Sequence, residues 1–460
     1  MRFVPPAALL WRLWARGKRV YYASPLYEVG RVREGDASLA AVAWVGVELF
    51  PGDANAGRAL AVGQFGFVGV NLELGVPPKS WLPKNVSALW VFNLHYFEWL
   101  ADLRAAGKRA EAQALVADWL VAFGHYHPLA WHPYPTSLRL VAWLTHGKWL
   151  LEEADAEFAK AFYAAVARQA DYLRWNCEWD LGGNHLLKNL KALVYAGLAV
   201  EGRREFFEFG MAELLRQLRV QLLADGAHDE RSPLYMAQVL RDLLELRAVL
   251  KKQGGGAPKM LEQAVVGLGR ALAVLVHPDG KLALFNDSAE MSAEYVERLL
   301  RLSGVDSDDV PEMLPQAGFV RAVRGKGDAA LSVVMDGGVV GPDSNPGHAH
   351  ADTLSFELCC GRERVVVNCG TYAYQHALRN VLRGTAAHSA VVVDGVNSAE
   401  VWGSFRVGRR PREVRLERRG QAVGEVALEG AHDGYRHLGV LCQRKILLAG
   451  DGSRVQGEDV

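Results

Sequence analysis

Three short segments concentrate side chains of the kind that move protons, hold metal ions or grip an anion. In the first, Gly182-Gly183-Asn184-His185-Leu186-Leu187-Lys188-Asn189, two glycines break the chain and a helix then begins. Position alone makes Asn184 an N-cap, its side-chain oxygen accepting a backbone N–H of the first turn. His185 and Asn189, at i and i+4, share a helix face, and with Lys188 they give a polar helix start. In the second, Asp229-Glu230-Arg231-Ser232-Pro233-Leu234-Tyr235, the Ser-Pro pair reads as cap and first helical position. Tyr235 then falls in the first turn, where a tyrosine ordinarily packs with its hydroxyl satisfied. The third, Gly347-His348-Ala349-His350-Ala351-Asp352, leads into the run Leu354-Ser355-Phe356-Glu357-Leu358. In an extended chain residues two apart face the same way, so His348, His350 and Asp352 would line one side. Burying three ionisable groups together is costly without a partner, which leaves a metal, a substrate or a tight network. His388 opens the segment His388–Asp394 and follows Arg379, Arg383 and Gly384-Thr385, a place where cations could meet an anionic ligand.

The elements that must position these residues change character near residue 315. Upstream, Phe158, Phe162, Val166 and Leu173 form one helical stripe; Phe207, Met211, Leu214, Leu218 and Leu222 form another; Leu240, Leu243 and Leu250 continue the pattern. Similar periodicity over 100–123, 137–152, 185–200 and 259–275 predicts about seven helices, stacked as antiparallel hairpins in a bundle, solenoid or toroid. Downstream, the β-rich runs Leu331–Met335, Leu354–Cys359, Arg364–Val367, Ser389–Asp394, Glu413–Arg418 and Lys445–Leu448 are punctuated by turn signals such as Asp336-Gly337 and Asp394-Gly395. They predict an antiparallel sheet or sandwich. The expected division is a mixed segment over 1–80, with an extended piece at Gln64–Leu74, a helical domain over 81–312 and a β domain over 313–460. The last strand runs almost to Asp459-Val460; a sandwich cut there leaves an unpaired edge, and the sequence reads as an incomplete version of a longer protein.

A chain of 460 residues is too long for one compact core. Lys plus Arg equals Asp plus Glu, 52 against 52, which argues against bulk electrostatic capture of nucleic acid. An anionic partner would need a local cluster of cations. Cys177, Cys359, Cys360, Cys369 and Cys442 are odd in number and form no CxxC pair, and they read as buried small hydrophobes. No stretch approaches the roughly twenty apolar residues that cross a bilayer, so no integral membrane segment is expected. The segment Met1–Tyr22 sets Arg2, Arg12, Arg16, Lys18 and Arg19 around the short run Val4–Trp11, a pattern that departs from an export signal.

The segments GNHLLKN, ERSPLY, GHAHADTLSFEL and RGTAAHSAVVVDG follow one another as they do in the heparinase II/III-like polysaccharide lyases. NCGTYAY, EVWGSFRVGRR, WVFNLHYFEWL and WHPYPTSLRLVAW resemble the same family, so the likeness runs from about residue 80 to 410. Each motif alone is weak; four in order are specific. The resemblance implies an incomplete α/α toroid followed by an antiparallel β-sandwich, and an acidic polysaccharide as substrate. It gives Asn184 the role of the amide engaging the uronate carboxylate, Tyr235 that of the proton-transferring phenol, and His348 that of its partner base. His350 and His388 resemble the family's metal-holding histidines, zinc being the expected ion and structural in role, with no organic cofactor. Where the family usually has an aspartate as third ligand this chain has Asn368, a poorer ligand, and Met236 stands where a histidine often follows the tyrosine. His95, Trp131, His185 and Arg383 are candidate substrate contacts. Family analogy implies a periplasmic or secreted location, against the atypical chain start.

Lyase chemistry removes the proton α to a uronate carboxylate and expels the oxygen on the neighbouring carbon. Charge developing on the carboxylate must be stabilised, which an amide or imidazolium does by about 3–4 kcal/mol, and positioned proton transfer adds roughly 10²–10⁴-fold. The phenol is expected to have a depressed pKa, supplied by cationic His or Arg nearby. Two other readings compete. A toroid glycoside hydrolase needs two flanking carboxyl groups, for which Glu230 and Asp352 are available. A non-catalytic glycan-binding or assembly protein would account for Asn368 and Met236.

Overall fold

A computed structural model of the protein describes residues 6–24, 42–343, 345–420 and 424–460. The chain forms two compact units, one built on the chain up to Gln217 together with Glu245–Ala257, the other on Leu218–Leu244 together with Pro258–Val460.

The first unit is mostly helical. Its elements are α1 (Pro6–Tyr22), α2 (Ala54–Ala61), the antiparallel hairpin of β1 (Gln64–Phe67) and β2 (Val70–Glu73), α3 (Ala88–Tyr96), α4 (Leu100–Ala105), α5 (Arg109–Phe123), α6 (Pro133–Leu150), α7 (Ala156–Asn176), α8 (Gly183–Ala199) and α9 (Arg204–Gln221), the last four residues of which fall in the second unit. Local chemistry sets the helix starts. Ser87 accepts the Trp90 N–H at 3.1 Å, Asp155 accepts the Phe158 N–H at 2.8 Å, and Pro133 takes the first position of α6 after His132. The expected extended piece at Gln64–Leu74 is the hairpin, and the expected helix over 100–123 is split at Gly107, whose φ of 69° suits glycine. Inside lies an aromatic core of Trp90, Phe97, Trp119, Trp143 and Phe162, with Trp119 and Trp143 edge-to-face at 5.5 Å.

The second unit carries the sheets. After α10 (Pro233–Lys252), α11 (Lys259–Val274) and α12 (Ala293–Ser303), the chain forms a five-stranded antiparallel sheet in the order β3 (Met313–Leu314), β4 (Phe319–Arg324), β5 (Leu331–Asp336), β6 (Phe356–Cys360) and β7 (Glu363–Val366). A short helix, α13 (Arg379–Leu382), and a ribbon of β8 (Val401–Trp402) and β9 (Arg406–Val407) precede a second antiparallel sheet of β10 (Val414–Gly420), β11 (Val426–His432), β12 (Cys442–Leu448) and β13 (Val455–Asp459). Val320, Ala322, Val333 and Met335 of one sheet pack with Val426, Leu428, Ile446 and Leu448 of the other, closed by Leu354. This alternation of inward residues is what makes a sandwich core.

The segment 388–394 is not the expected strand. It follows a 3-10 turn at Thr385–Ala387, and its one ladder contact is the isolated bridge Val393–Val396. Nor is Gly347–Asp352 a strand: Pro346–His348 is a 3-10 turn held by the Ala349 N–H on Pro346 O, and the chain is extended only from Ala349. Both segments give up strand pairing because their polar groups have other partners. Cys177, Cys359 and Cys442 are buried as expected, but Cys360 is half-buried and Cys369 exposed.

Candidate active site

The second unit gathers its ionisable residues on one carboxylate that the motif reading passed over, Asp287. It is fully buried, in the turn Asn286-Asp287-Ser288. Its Oδ2 accepts from His348 Nδ1 at 2.9 Å and from Arg379 Nη2 at 2.6 Å, while its Oδ1 accepts from His350 Nε2 at 2.8 Å and from Arg379 Nη1. Burial pushes the carboxyl up, but hydrogen bonds from His348, His350 and Arg379 outweigh it and hold the group well below the carboxylate range. The backbone around it is fixed as firmly. Asp287 N–H donates to His348 O at 3.0 Å, and the capping hydroxyl of Ser232 donates to Asp287 O at 2.7 Å. Asn286, at φ 53°, accepts the His350 N–H at 3.0 Å and donates to Arg231 O at 3.1 Å. Asparagine is among the few residues that tolerate this backbone region.

Because Asp287 is ionised, the nitrogens facing it must carry protons. His348 therefore has an N–H at Nδ1, which leaves Nε2 as the nitrogen not engaged by Asp287, the arrangement in which a carboxylate orients an imidazole. Tyr235 lies on the same imidazole, with ring centroids 3.9 Å apart, and its hydroxyl meets the Tyr374 hydroxyl at 2.8 Å. It sits in the first turn of α10, after Ser232 and Pro233, as the sequence predicts. Its pKa runs against expectation. Burial, and then the negative charge of Asp287, push the phenol well above its usual range, and Tyr374 and Arg379 do not offset them. Tyr235 is thus a proton holder in this state, not a phenolate.

His350 and His388 face each other through Nδ1 and Nε2 at 3.0 Å. The outer nitrogen of His350 is on Asp287, and that of His388 is 2.8 Å from Gly384 O, a group that only accepts. A carboxylate oxygen of Asp352 lies within 4.8 Å of both inward nitrogens. A proton shared between the two rings satisfies the 3.0 Å contact, and a metal ion held by the two nitrogens and Asp352 would replace it, since outer N–H groups tied to acceptors are the usual support of metal-bound histidines. The donor set suits zinc. The side-chain oxygen of Asn368, the expected third ligand, accepts from Ser389 N–H at 3.1 Å, next to His388, and its amide nitrogen faces Glu357 at 3.4 Å. The carboxylate that joins the two histidines is Asp352.

Arg383 corrects a second expectation. It is fully buried, and its guanidinium donates to Ala349 O at 2.9 Å and Ser404 O at 3.0 Å, so it braces the loop that carries His348 and His350. Arg379, read as an anion contact, is committed to Asp287. In the first unit His95 and Trp131 are core residues. His95 is fully buried between Trp81 O at 3.1 Å and Trp119 Nε1 at 2.9 Å, and Trp131 donates to Phe123 O at 2.9 Å. Aromatic composition alone does not distinguish such residues from sugar platforms.

Asn184 is not a cap. Gly182, at φ 64°, precedes the helix, and Asn184 is its second residue, 1% exposed. Next to it His185 is part-exposed, with Nδ1 3.2 Å from Glu178 Oε1 and its ring 4.2 Å from that of Tyr134. Glu178 also accepts from Asn189 at 3.2 Å. Burial raises its pKa, but His185, His132 and Asn189 together bring it below the usual value. A pocket of about 570 Å³ opens beside it, lined by Lys18, Tyr22, His132, Tyr172 and Asn176 among others.

Asp287 and Tyr374 are the residues of this cluster hardest to read from sequence. The first lies in a short Asn-Asp-Ser turn and the second ends NCGTYAY; the side chains they hydrogen-bond, His348 and Tyr235, are distant in the chain, and only folding supplies them.

A helical unit and an antiparallel sandwich define a class of fold, and family comparison names it. The heparinase II/III N-terminal model matches residues 83–304 and the heparinase II/III-like C-terminal model residues 309–460. The chain belongs to the heparinase II/III-like family. Its fold is the α/α toroid with antiparallel β-sandwich of a crystal structure of heparinase III, with TM-score 0.68 and 16% identity over 90% of this chain and 71% of that one. Heparan sulfate lyase HepC from Pedobacter heparinus superposes in mutant form with TM-score 0.60 and 20% identity, covering 89% of this chain and 70% of that one. Among curated proteins it is similar to FtsZ-localized protein C of Caulobacter vibrioides, 29% identical over 427 residues, which span 89% of this chain and 71% of the relative. Among the described residues no helix is long and apolar enough to cross a membrane.

Proposed function

We propose that the protein is a polysaccharide lyase that cleaves a uronic-acid-containing glycan by β-elimination. The observation that carries this reading is the His348 imidazole, tied to Asp287 through one nitrogen and lying against the Tyr235 ring. His348 Nε2 takes the proton α to the carboxylate. The carbon–oxygen bond on the neighbouring carbon breaks, and the Tyr235 phenol, held protonated, returns a proton to the leaving oxygen. For that the phenol must exchange its hydrogen bond with Tyr374 for one to the glycosidic oxygen. This division gives the acid's part to a phenol whose surroundings keep it protonated and the base's part to an imidazole oriented by a carboxylate. The resemblance gives Asn184 the substrate carboxylate, and His185 is a candidate contact.

His350, His388 and Asp352 are the residues that would hold a divalent ion, zinc by donor type. When bound it supplies fixed positive charge that ties together the loop bearing His348, and the proton transfers stay with His348 and Tyr235.

The test is a screen of uronate polymers, heparan sulfate included, for the ultraviolet absorbance of an unsaturated product. Tyr235→Phe should lower turnover by about 10²–10⁴-fold while leaving glycan binding intact. Saturated products would mark a hydrolase instead, although Glu230 and Asp352 are both almost fully buried. A second reading, a scaffold that binds glycan or partner without turnover, is favoured by the likeness to FtsZ-localized protein C and by Met236 and Asn368. Glycan binding with no product from any uronate polymer would establish it over the first.

A further inference from the structure

The helix α1 carries chemistry that the lyase reading does not use. Its residues Pro6–Tyr22 include Arg12, Arg16, Lys18 and Arg19 and no acid. Leu10, Leu13, Trp14, Val20 and Tyr21 recur at the spacing of one helical stripe, and they are 51–73% exposed. The other side of the helix holds it to the first unit. Lys18 Nζ donates to Trp175 O and reaches Asn176 Oδ1 at 3.4 Å. The Tyr22 hydroxyl accepts from Asn176 Nδ2 at 2.9 Å, and its ring packs edge-on against Tyr172 at 5.2 Å. Trp175, whose carbonyl Lys18 grips, is itself 68% exposed.

A helix pinned by one face and showing leucine, tryptophan and tyrosine on the other departs from the usual surface of a lone domain, where large apolar patches mark contact sites. Charge selects the occupant. The helix has only cations, so a second copy of α1 laid against it would bring like charges together, whereas an anionic lipid surface satisfies both features at once. At 1.5 Å per residue it is about 25 Å long, and it is too rich in arginine and lysine to span. Amphipathic helices of this composition lie in the headgroup region with tryptophan and leucine inserted and basic side chains on lipid phosphates. We infer that α1 is an interfacial helix that seats the first unit on an anionic membrane surface. The inference is independent of catalysis.

The experiment is co-sedimentation of the full chain with phosphatidylcholine vesicles, with and without phosphatidylglycerol. Binding is expected only with the anionic lipid, and in about 1 M salt, where screening acts within roughly 3 Å, it should largely reverse. Leu13→Glu with Trp14→Glu should weaken it about tenfold or more, and Arg16→Glu should weaken it as well. Val121→Glu, at an 86% exposed position on α5, should leave it unchanged. Equal binding to neutral vesicles, no binding to either, or binding indifferent to the Leu13/Trp14 pair would each overturn the inference. So would light scattering that shows a dimer dispersed by Trp14→Glu, because the occupant would then be a second copy.

Discussion

At the scale of single residues, one carboxylate organises the second unit's chemistry. Asp287 has two oxygens and four donors, from His348, His350 and Arg379. Asp287→Asn keeps the shape and removes the charge, leaving Arg379, 2% exposed, without its counter-ion. Breaking a buried pair in this way costs about 3–5 kcal/mol, so a lower urea midpoint is expected. The variant should also lose about 10²–10⁴-fold in turnover, since His348 loses the acceptor that sets its tautomer. Unchanged stability with unchanged turnover would remove Asp287 from the account. The sequence could show Tyr235, His348, His350 and His388 because motif order marked them. It could not show Asp287, whose importance rests on partners 61–92 positions further along the chain, nor that Tyr235's phenol is pushed up by burial and then by that same carboxylate.

At the scale of elements, periodicity was a good guide and polar segments were not. Each expected helix is present because its apolar stripe faces a core. The strand expected at 388–394 fails because apolar residues there were read without their neighbours: His388 is drawn to His350 and Ser389 to Phe356 O. Burial likewise separates His95, Trp131 and Arg383 from the surface, which residue type does not reveal. Packing between α8 and α9 gives a direct test. A Cβ added at Gly197 would lie 2.1 Å from the Phe207 nitrogen, so Gly197→Ala must push the two helices apart. A loss of about 1–3 kcal/mol or more is expected from denaturant melts. Gly256→Ala, where a Cβ meets nothing within 4 Å, should be close to neutral. Equal effects of the two would show that the α8–α9 approach is not tight.

At the scale of the whole molecule, formal charge is balanced near pH 7, and as acid adds positive charge, buried groups add terms of their own to the response. His95 is held neutral: its Nε2–H donates to Trp81 O and its Nδ1 accepts from Trp119, and an added proton would face an N–H. Burial, and then Arg139, push its pKa from 6.5 down to about 3, and burial takes His432 to about 4. Both are lower folded than unfolded, so below the unfolded value the unfolded chain binds more protons. Their contribution should be constant above about pH 6.5 and fall toward pH 4, by at most about 1.4 kcal/mol per unit for each histidine, while Asp229 and Asp336, raised chiefly by burial to about 6 and about 7, act in the opposite sense. Urea melts of the wild type and of His95→Gln across that range would isolate it: the wild type's advantage should shrink toward acid, and an advantage independent of pH would contradict it. The ion pair of Asp287 with Arg379 has a last consequence. Their charges cancel, so on accepting a proton His348 adds one positive charge to the cluster. A glycan bearing a carboxylate brings an anion that offsets that charge, and a neutral sugar does not. Selectivity for acidic polymers would then reside in the arithmetic of the resting cluster as much as in any contact with the substrate.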